Sequence, residues 1–194
     1  MTKNLFGNTF KKRKSLLEAR LAKYDRDSFN DRLERLKYLQ KIFPKGLAFS
    51  SRLETAYVFD EAKMAFINGE FISTIMLAQA FIEHRLQSLL IAKGLVKESK
   101  KGIKFIIDYC RTNNLIGGFL LDKIDYIRKI RNPFSHLKDY DYSYNIDQRL
   151  MTQLRNTKSE ENRIKDPAKI LEADANEAIL LMYTIVGHHK YLLV

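Results

Sequence analysis

Arg131-Asn132-Pro133-Phe134-Ser135-His136 places a guanidinium, a carboxamide, a hydroxyl and an imidazole within six residues. Arginine carries a permanent charge on a planar fork that matches phosphate oxygens. An imidazole gives and takes protons near neutral pH, and an amide or hydroxyl can orient either partner by hydrogen bonding. Such a set has the groups needed to cleave a phosphodiester without a metal ion.

The elements around the run decide whether these groups can meet. At ~100° per residue, Leu120, Ile124, Ile127 and Arg131 fall on one narrow face of a helix over about 118–131. Arg131 is therefore expected at a core-facing position, where a guanidinium needs a carboxylate, a ligand anion or a facing subunit. A longer helix over about 70–93 supplies a candidate partner. Glu83 lies between the directions of Ile72, Leu90 and Met76, inside the apolar arc, whereas His84 points to the opposite side. From Arg131 to His136 the offset is five residues, or ~140° on an unbroken helix, so the side chains would diverge. Asn132-Pro133 is expected to resolve this by a kink or a new helix start at Asn132. A second copy facing the first across a two-fold axis would serve equally.

Composition sets the class of molecule. The chain has 194 residues, of which 45% are hydrophobic and 29% charged, as in a soluble globular protein and unlike a disordered one. Only 8 Gly and 3 Pro are present, favouring long helices over the many tight turns of strand-rich folds. No apolar run approaches the ~18 residues of a membrane span, and Met1-Thr2-Lys3-Asn4-Leu5-Phe6 lacks the apolar core of a signal peptide. A cytoplasmic location without membrane association is the expectation. The single Cys110 excludes an intramolecular disulfide and a thiolate zinc cluster, and reads as a small core residue. No cofactor or metal is expected, and neither His84 nor the pair His188-His189 has the flanking groups that mark out His136.

The formal charge of +11 is uneven. Residues 1–52 hold 14 Lys+Arg against 5 Asp+Glu, so +9 of it lies there. A basic excess of this kind attracts polyanions through counterion release, which makes Lys11, Lys12, Arg13 and Lys14 candidate RNA-binding residues. Helical spacing over 10–24 and again over 28–43, with Asp27 or Ser28 as a second N-cap, predicts a basic helical hairpin over residues 1–48. Pro44-Lys45-Gly46 would separate it from a main domain over 49–194. That domain is read as helices near 51–68, 70–93, 102–114, 118–131 and 167–191, with a tyrosine-rich loop over 139–145 and partly helical charged residues over 147–165. The fold expected is all-α, an antiparallel helical bundle with an N-terminal basic helical extension.

Arg131-Asn132-Pro133-Phe134-Ser135-His136 resembles the signature of the HEPN superfamily, an Arg followed after four to six residues by His, with a polar residue, often Asn, after the Arg. Ala80-Phe81-Ile82-Glu83-His84 is similar to an early helix of that superfamily, and Leu171-Glu172-Ala173-Asp174-Ala175-Asn176-Glu177-Ala178-Ile179 to its closing helix, so the resemblance covers roughly residues 55–190. It implies a homodimer in which two copies of the motif face each other and, in active members, a metal-independent endoribonuclease that serves as a toxin or antiviral-defence effector. On that resemblance His136 is the general acid or base and Arg131 binds the scissile phosphate. Asn132 positions either group, Ser135 is a weaker candidate for the same task, and Glu83 supports Arg131. RNA is the implied partner, with room for an antitoxin or regulatory protein. The alternative is a non-catalytic module of the same build that binds RNA, nucleotide or a partner protein. Where members silenced by nucleotidylation carry a tyrosine two positions after the His, this chain has Lys138, and its nearest tyrosine is Tyr140.

Overall fold

The computed structural model describes residues 15–43, 51–156 and 166–187. These form helices α1 (Leu16–Ile42), α2 (Leu53–Asn68), α3 (Phe71–Ala92), α4 (Val96–Ser99), α5 (Ile103–Thr112), α6 (Gly118–Ser135), α7 (Ile146–Asn156) and α8 (Pro167–Gly187), with no strand among the described residues. The molecule is an all-α helical bundle, as the scarcity of Gly and Pro implied. None of the described helices is long and apolar enough to cross a membrane.

Helix α3 is the centre of the bundle and packs chiefly on α2 and α8, with α6 along a third side. Phe81, Ile75, Ile82, Leu86 and Leu90 on α3 meet Phe66 of α2, Ile124, Ile127 and Ile130 of α6, and Ala178, Ile179 and Met182 of α8 in one apolar cluster. Each such side chain contributes about 1.5–3 kcal/mol when fully buried, and the cluster extends to Ile106, Ile107 and Cys110 of α5. Burial pushes the Cys110 thiol up to about 11, so it behaves as the small apolar residue its position suggested.

The turn between α2 and α3 depends on Gly69, whose φ of 79° is left-handed. Arg35 of α1 closes over this turn. Its Nε donates to the Ile67 carbonyl at 3.0 Å, its guanidinium lies 5.6 Å from the Phe71 ring centroid, and Glu172 of α8 is 3.9 Å away. A Cβ at position 69 would meet only the far end of the flexible Arg35 side chain, at 3.0 Å from Nη2, so it is the backbone angle that calls for glycine.

The helical hairpin expected over 1–48 is corrected by α1, which is a single helix with no break at 25–28. It starts on a capping box, with the Glu18 N–H on Ser15 Oγ at 3.1 Å and the Ser15 N–H on Glu18 Oε2 at 2.6 Å. Ser28 caps nothing; its hydroxyl donates back to the Tyr24 carbonyl at 2.8 Å. No Gly or Pro occurs between Leu16 and Ile42, so nothing stops the helix once begun. Its N-terminal half stands clear of the bundle, with Leu17, Leu21 and Tyr24 exposed, and only Leu39 is buried. The expected Pro44-Lys45-Gly46 boundary lies outside the described residues, and so does the basic run Lys11-Lys12-Arg13-Lys14.

A buried ion pair ties α7 to α8. Arg149 Nη1 and Nη2 donate to Asp174 Oδ2 and Oδ1 at 2.5 and 2.6 Å, and Asp174 is only 2% exposed. Nη2 also donates to the Tyr126 hydroxyl at 3.2 Å, so α6 is joined to the same cluster. Removing one member of such a pair leaves an uncompensated charge in the interior. Asp174→Ala should therefore cost about 3–5 kcal/mol, read as the shift in the urea midpoint. A loss under about 1 kcal/mol would place the pair among surface ion pairs in strength.

Candidate functional site

Helix α6 carries the six-residue run at its C-terminal end. The expected break at Asn132 does not occur: the helix passes through Pro133 and stops after Ser135. His136 takes the extended angles φ −144° and ψ 128°, and its N–H still reaches the Asn132 carbonyl at 3.0 Å. Proline at 133 cannot donate to the carbonyl four residues back, at Lys129. The Tyr142 hydroxyl supplies the missing donor, bonding the Lys129 carbonyl at 3.3 Å. With that carbonyl satisfied and Ile130 and Phe134 packed in the core cluster, the helix continues where proline would end it.

The buried stripe of α6 is Leu121, Ile124, Ile127 and Ile130. Arg131 is thus one step to the side of the core and only half-buried, rather than a continuation of the stripe. Its Nε is nevertheless shut off from solvent and has no hydrogen-bond partner. Glu83 stands on the facing surface of α3, as its place in the apolar arc predicted. Burial raises the Glu83 carboxyl above its usual range, while the positive charges of Arg131 and His84 pull it back only in part. The two groups feel each other across the α3–α6 contact but do not form the direct hydrogen-bonded pair the sequence suggested.

Two further α3 residues complete this surface. Ser135 Oγ points to Met76 Sδ at 3.7 Å, which anchors the last turn of α6 against α3. Between Met76 and Glu83, on the same side of α3, lies Gln79, 1% exposed, with neither amide atom hydrogen-bonded. Leaving such groups unsatisfied costs on the order of 1–3 kcal/mol each.

The structure therefore brings Arg131 and Ser135 of α6 against the face of α3 that carries Glu83 and leaves His136 exposed at the end of α6. Asn132 is half-buried between them and gives its carbonyl to the helix end. His84 belongs elsewhere: its Nδ1 is 3.2 Å from Thr55 Oγ1, in a cleft of about 260 Å³ shared with Arg52, Glu54 and Gln87. His188 and His189 lie outside the described residues. Among the described residues no group of three His, Cys, Asp or Glu is placed to hold a metal ion.

Positive charge at this end of α6 is graded. Arg128 Nη2 and Lys129 Nζ each lie 2.7 Å from the Asp125 carboxylate. Burial opposes ionisation of Asp125, but the hydrogen bonds from Lys129 and Arg128 hold its carboxyl below the usual range. The single Asp125 carboxylate thereby offsets only one of the two positive charges of Arg128 and Lys129. The tyrosines fill the space around them, with Tyr144 packed edge-on to Tyr126 at 6.2 Å and tilted against Tyr142 at 5.6 Å, under the Lys129 ammonium at 5.7 Å. Sequence reading left this tyrosine series without a role. The signal that could have found Tyr142 was Pro133 itself, since a proline inside a helix leaves a carbonyl that something must satisfy.

Tyr142→Phe should lose about 1–3 kcal/mol by leaving the Lys129 carbonyl unpaired. Pro133→Ala restores a backbone donor, so the double variant should recover most of that loss; a double-mutant cycle in urea checks it, and additive effects would break the link. Glu83 carries the second expectation. Because its folded carboxyl titrates above its unfolded one, folding is favoured by protonation, and this contribution falls away as pH rises through the unfolded and then the folded value. Glu83→Gln should unfold at pH 7 no lower than the parent and lose part of the stabilisation the parent gains on acidification. Thermal melts between pH 4 and 7 read this; a marked drop in melting temperature at pH 7 would show that attraction to Arg131 outweighs the burial cost.

Comparison of this chain with protein-family models, with curated protein sequences and with solved structures gives no match.

Proposed function

We propose that the chain is a metal-independent endoribonuclease of HEPN type, working as a homodimer in which two α6 ends meet. The observation that carries this reading is the disposition of the motif: a half-buried guanidinium with an unused Nε–H and an exposed imidazole at one helix end. Within a single chain Arg131 sits against α3 while His136 stands in solvent, and a two-fold-related copy would close a cleft between them. The fully exposed Leu137, next to His136, supports a surface that a partner covers.

In such a site His136 takes the proton from the ribose 2′-hydroxyl, or gives one to the departing 5′-oxygen. The 2′-oxygen attacks phosphorus and the P–O5′ bond breaks. The products are a 2′,3′-cyclic phosphate and a 5′-hydroxyl, with no net gain or loss of protons. Arg131 binds the phosphate and offsets the charge that develops on its oxygens, a task for which its planar, permanently charged guanidinium is suited. Glu83 holds the guanidinium in orientation through space, and Asn132 limits its freedom from the same turn. A toxin or defence role would follow from uncontrolled RNA cleavage.

RNA incubated with the purified chain should be cut equally well with and without chelator. His136→Ala should lower the rate by about 10²–10⁴-fold, the usual contribution of a positioned acid or base. Undiminished cleavage by that variant would sink the assignment. Salt-dependent binding with intact RNA recovered would instead favour the non-catalytic binding module.

A further inference from the structure

We infer that Tyr140, backed by Lys138, is a base-stacking subsite for single-stranded RNA beside the α6 end. This deepens the ribonuclease reading and rests on it. Tyr140 is 79% exposed and has no ring partner among the described residues, unlike Tyr142 and Tyr144, which pack on each other. An exposed aromatic on a mobile loop would mean little, but the backbone that carries Tyr140 is fixed from several sides. Its carbonyl accepts from Gln148 Nε2 at 3.0 Å and Asn145 Nδ2 at 3.3 Å, and the neighbouring Asp139 carbonyl accepts from Asn145 Nδ2 at 2.8 Å and from the Tyr142 N–H at 3.0 Å. Below it the Tyr142 hydroxyl anchors the loop to the Lys129 carbonyl. The ring is held out by a pinned scaffold, which reduces the entropy lost on binding.

The surroundings suit a nucleotide. Lys138 lies 5.8 Å over the Tyr142 ring and makes no ion pair with a described residue, so its charge is free for a phosphate, in contrast to Lys129 and Arg128 on Asp125. Tyr140 is four positions along the chain from His136, a backbone span of at most ~14 Å, so a base on this ring belongs to a nucleotide near the one being cut. Stacking on a protruding ring requires an unstacked base, which single strands offer and duplexes do not.

Binding is measured by fluorescence anisotropy with a labelled unstructured RNA oligonucleotide, in a His136→Ala background that prevents turnover. Tyr140→Ala should weaken binding by about 5- to 150-fold, Tyr140→Phe should keep it within about twofold, and a duplex of the same sequence should bind more weakly and respond little to Tyr140→Ala. Lys138→Gln should lower the slope of log affinity against log salt. Melting temperature and sedimentation of each variant are read alongside. Unchanged affinity in Tyr140→Ala would overturn the subsite while leaving the nuclease intact if the parent chain cuts RNA. A change of oligomeric state in Tyr140→Ala would make the ring a contact between copies and likewise overturn it. No RNA binding and no cleavage by any form would remove both readings.

Discussion

Helix α3 is held between α2, α6 and α8, which bury one broad face of it along most of its length. Every polar side chain on its inner surface must then be satisfied by a neighbouring helix or left at a cost. Toward α6 it carries Gln79 and Glu83, and these are not satisfied as a purely structural core would have them: the amide of Gln79 is unbonded and the carboxyl of Glu83 is raised by burial. Contrast the α7–α8 contact, where Arg149 and Asp174 meet in a bidentate pair with Tyr126 beside them. One buried polar cluster is closed and the other is open, and the open one adjoins Arg131.

The end of α6 depends on a substitution of donors. Pro133 removes a backbone N–H, and a tyrosine hydroxyl from the following loop takes its place on the Lys129 carbonyl. The same bond therefore ties residues 139–145 back against the helix. This couples two features that look unrelated in the chain, a proline in a helix and a run of tyrosines in a loop. The helix stops after Ser135 and His136 takes extended backbone angles, so the imidazole leaves the helix axis there.

Charge is distributed differently from what the N-terminal excess suggests. Residues 15–43 hold 7 Lys+Arg and 5 Asp+Glu, so α1 is close to balanced and its role in the bundle is mechanical. Arg35 binds it to the α2–α3 turn through one carbonyl, one ring and one carboxylate. Near the motif, Arg128 and Lys129 share the one carboxylate of Asp125, while Arg131 and Lys138 have no carboxylate bonded to them among the described residues.

Periodicity and the lack of Gly and Pro were sufficient to place α2, α3, α5 and α8 and to put Glu83 on the buried side of α3, because these depend on local propensity and on which residues avoid water. The local start of α8 was equally legible, with the Ala168 N–H on Asp166 Oδ1 at 2.9 Å. Three things were not. Helix α1 runs on where two N-cap candidates suggested a turn, since a capping residue permits a helix start but does not stop one already in progress. Arg131 falls beside the stripe rather than on it, because Leu121 and Ile130, not Leu120 and Arg131, complete the buried face with Ile124 and Ile127. Finally, the carbonyl that Pro133 leaves without its helical donor is met by Tyr142, nine residues further on. By itself the sequence determined which helices form and which groups lie within six residues of one another. Only the tertiary structure decided how that segment is aimed, because its direction is set by hydrogen bonds and packing partners that local pattern does not encode.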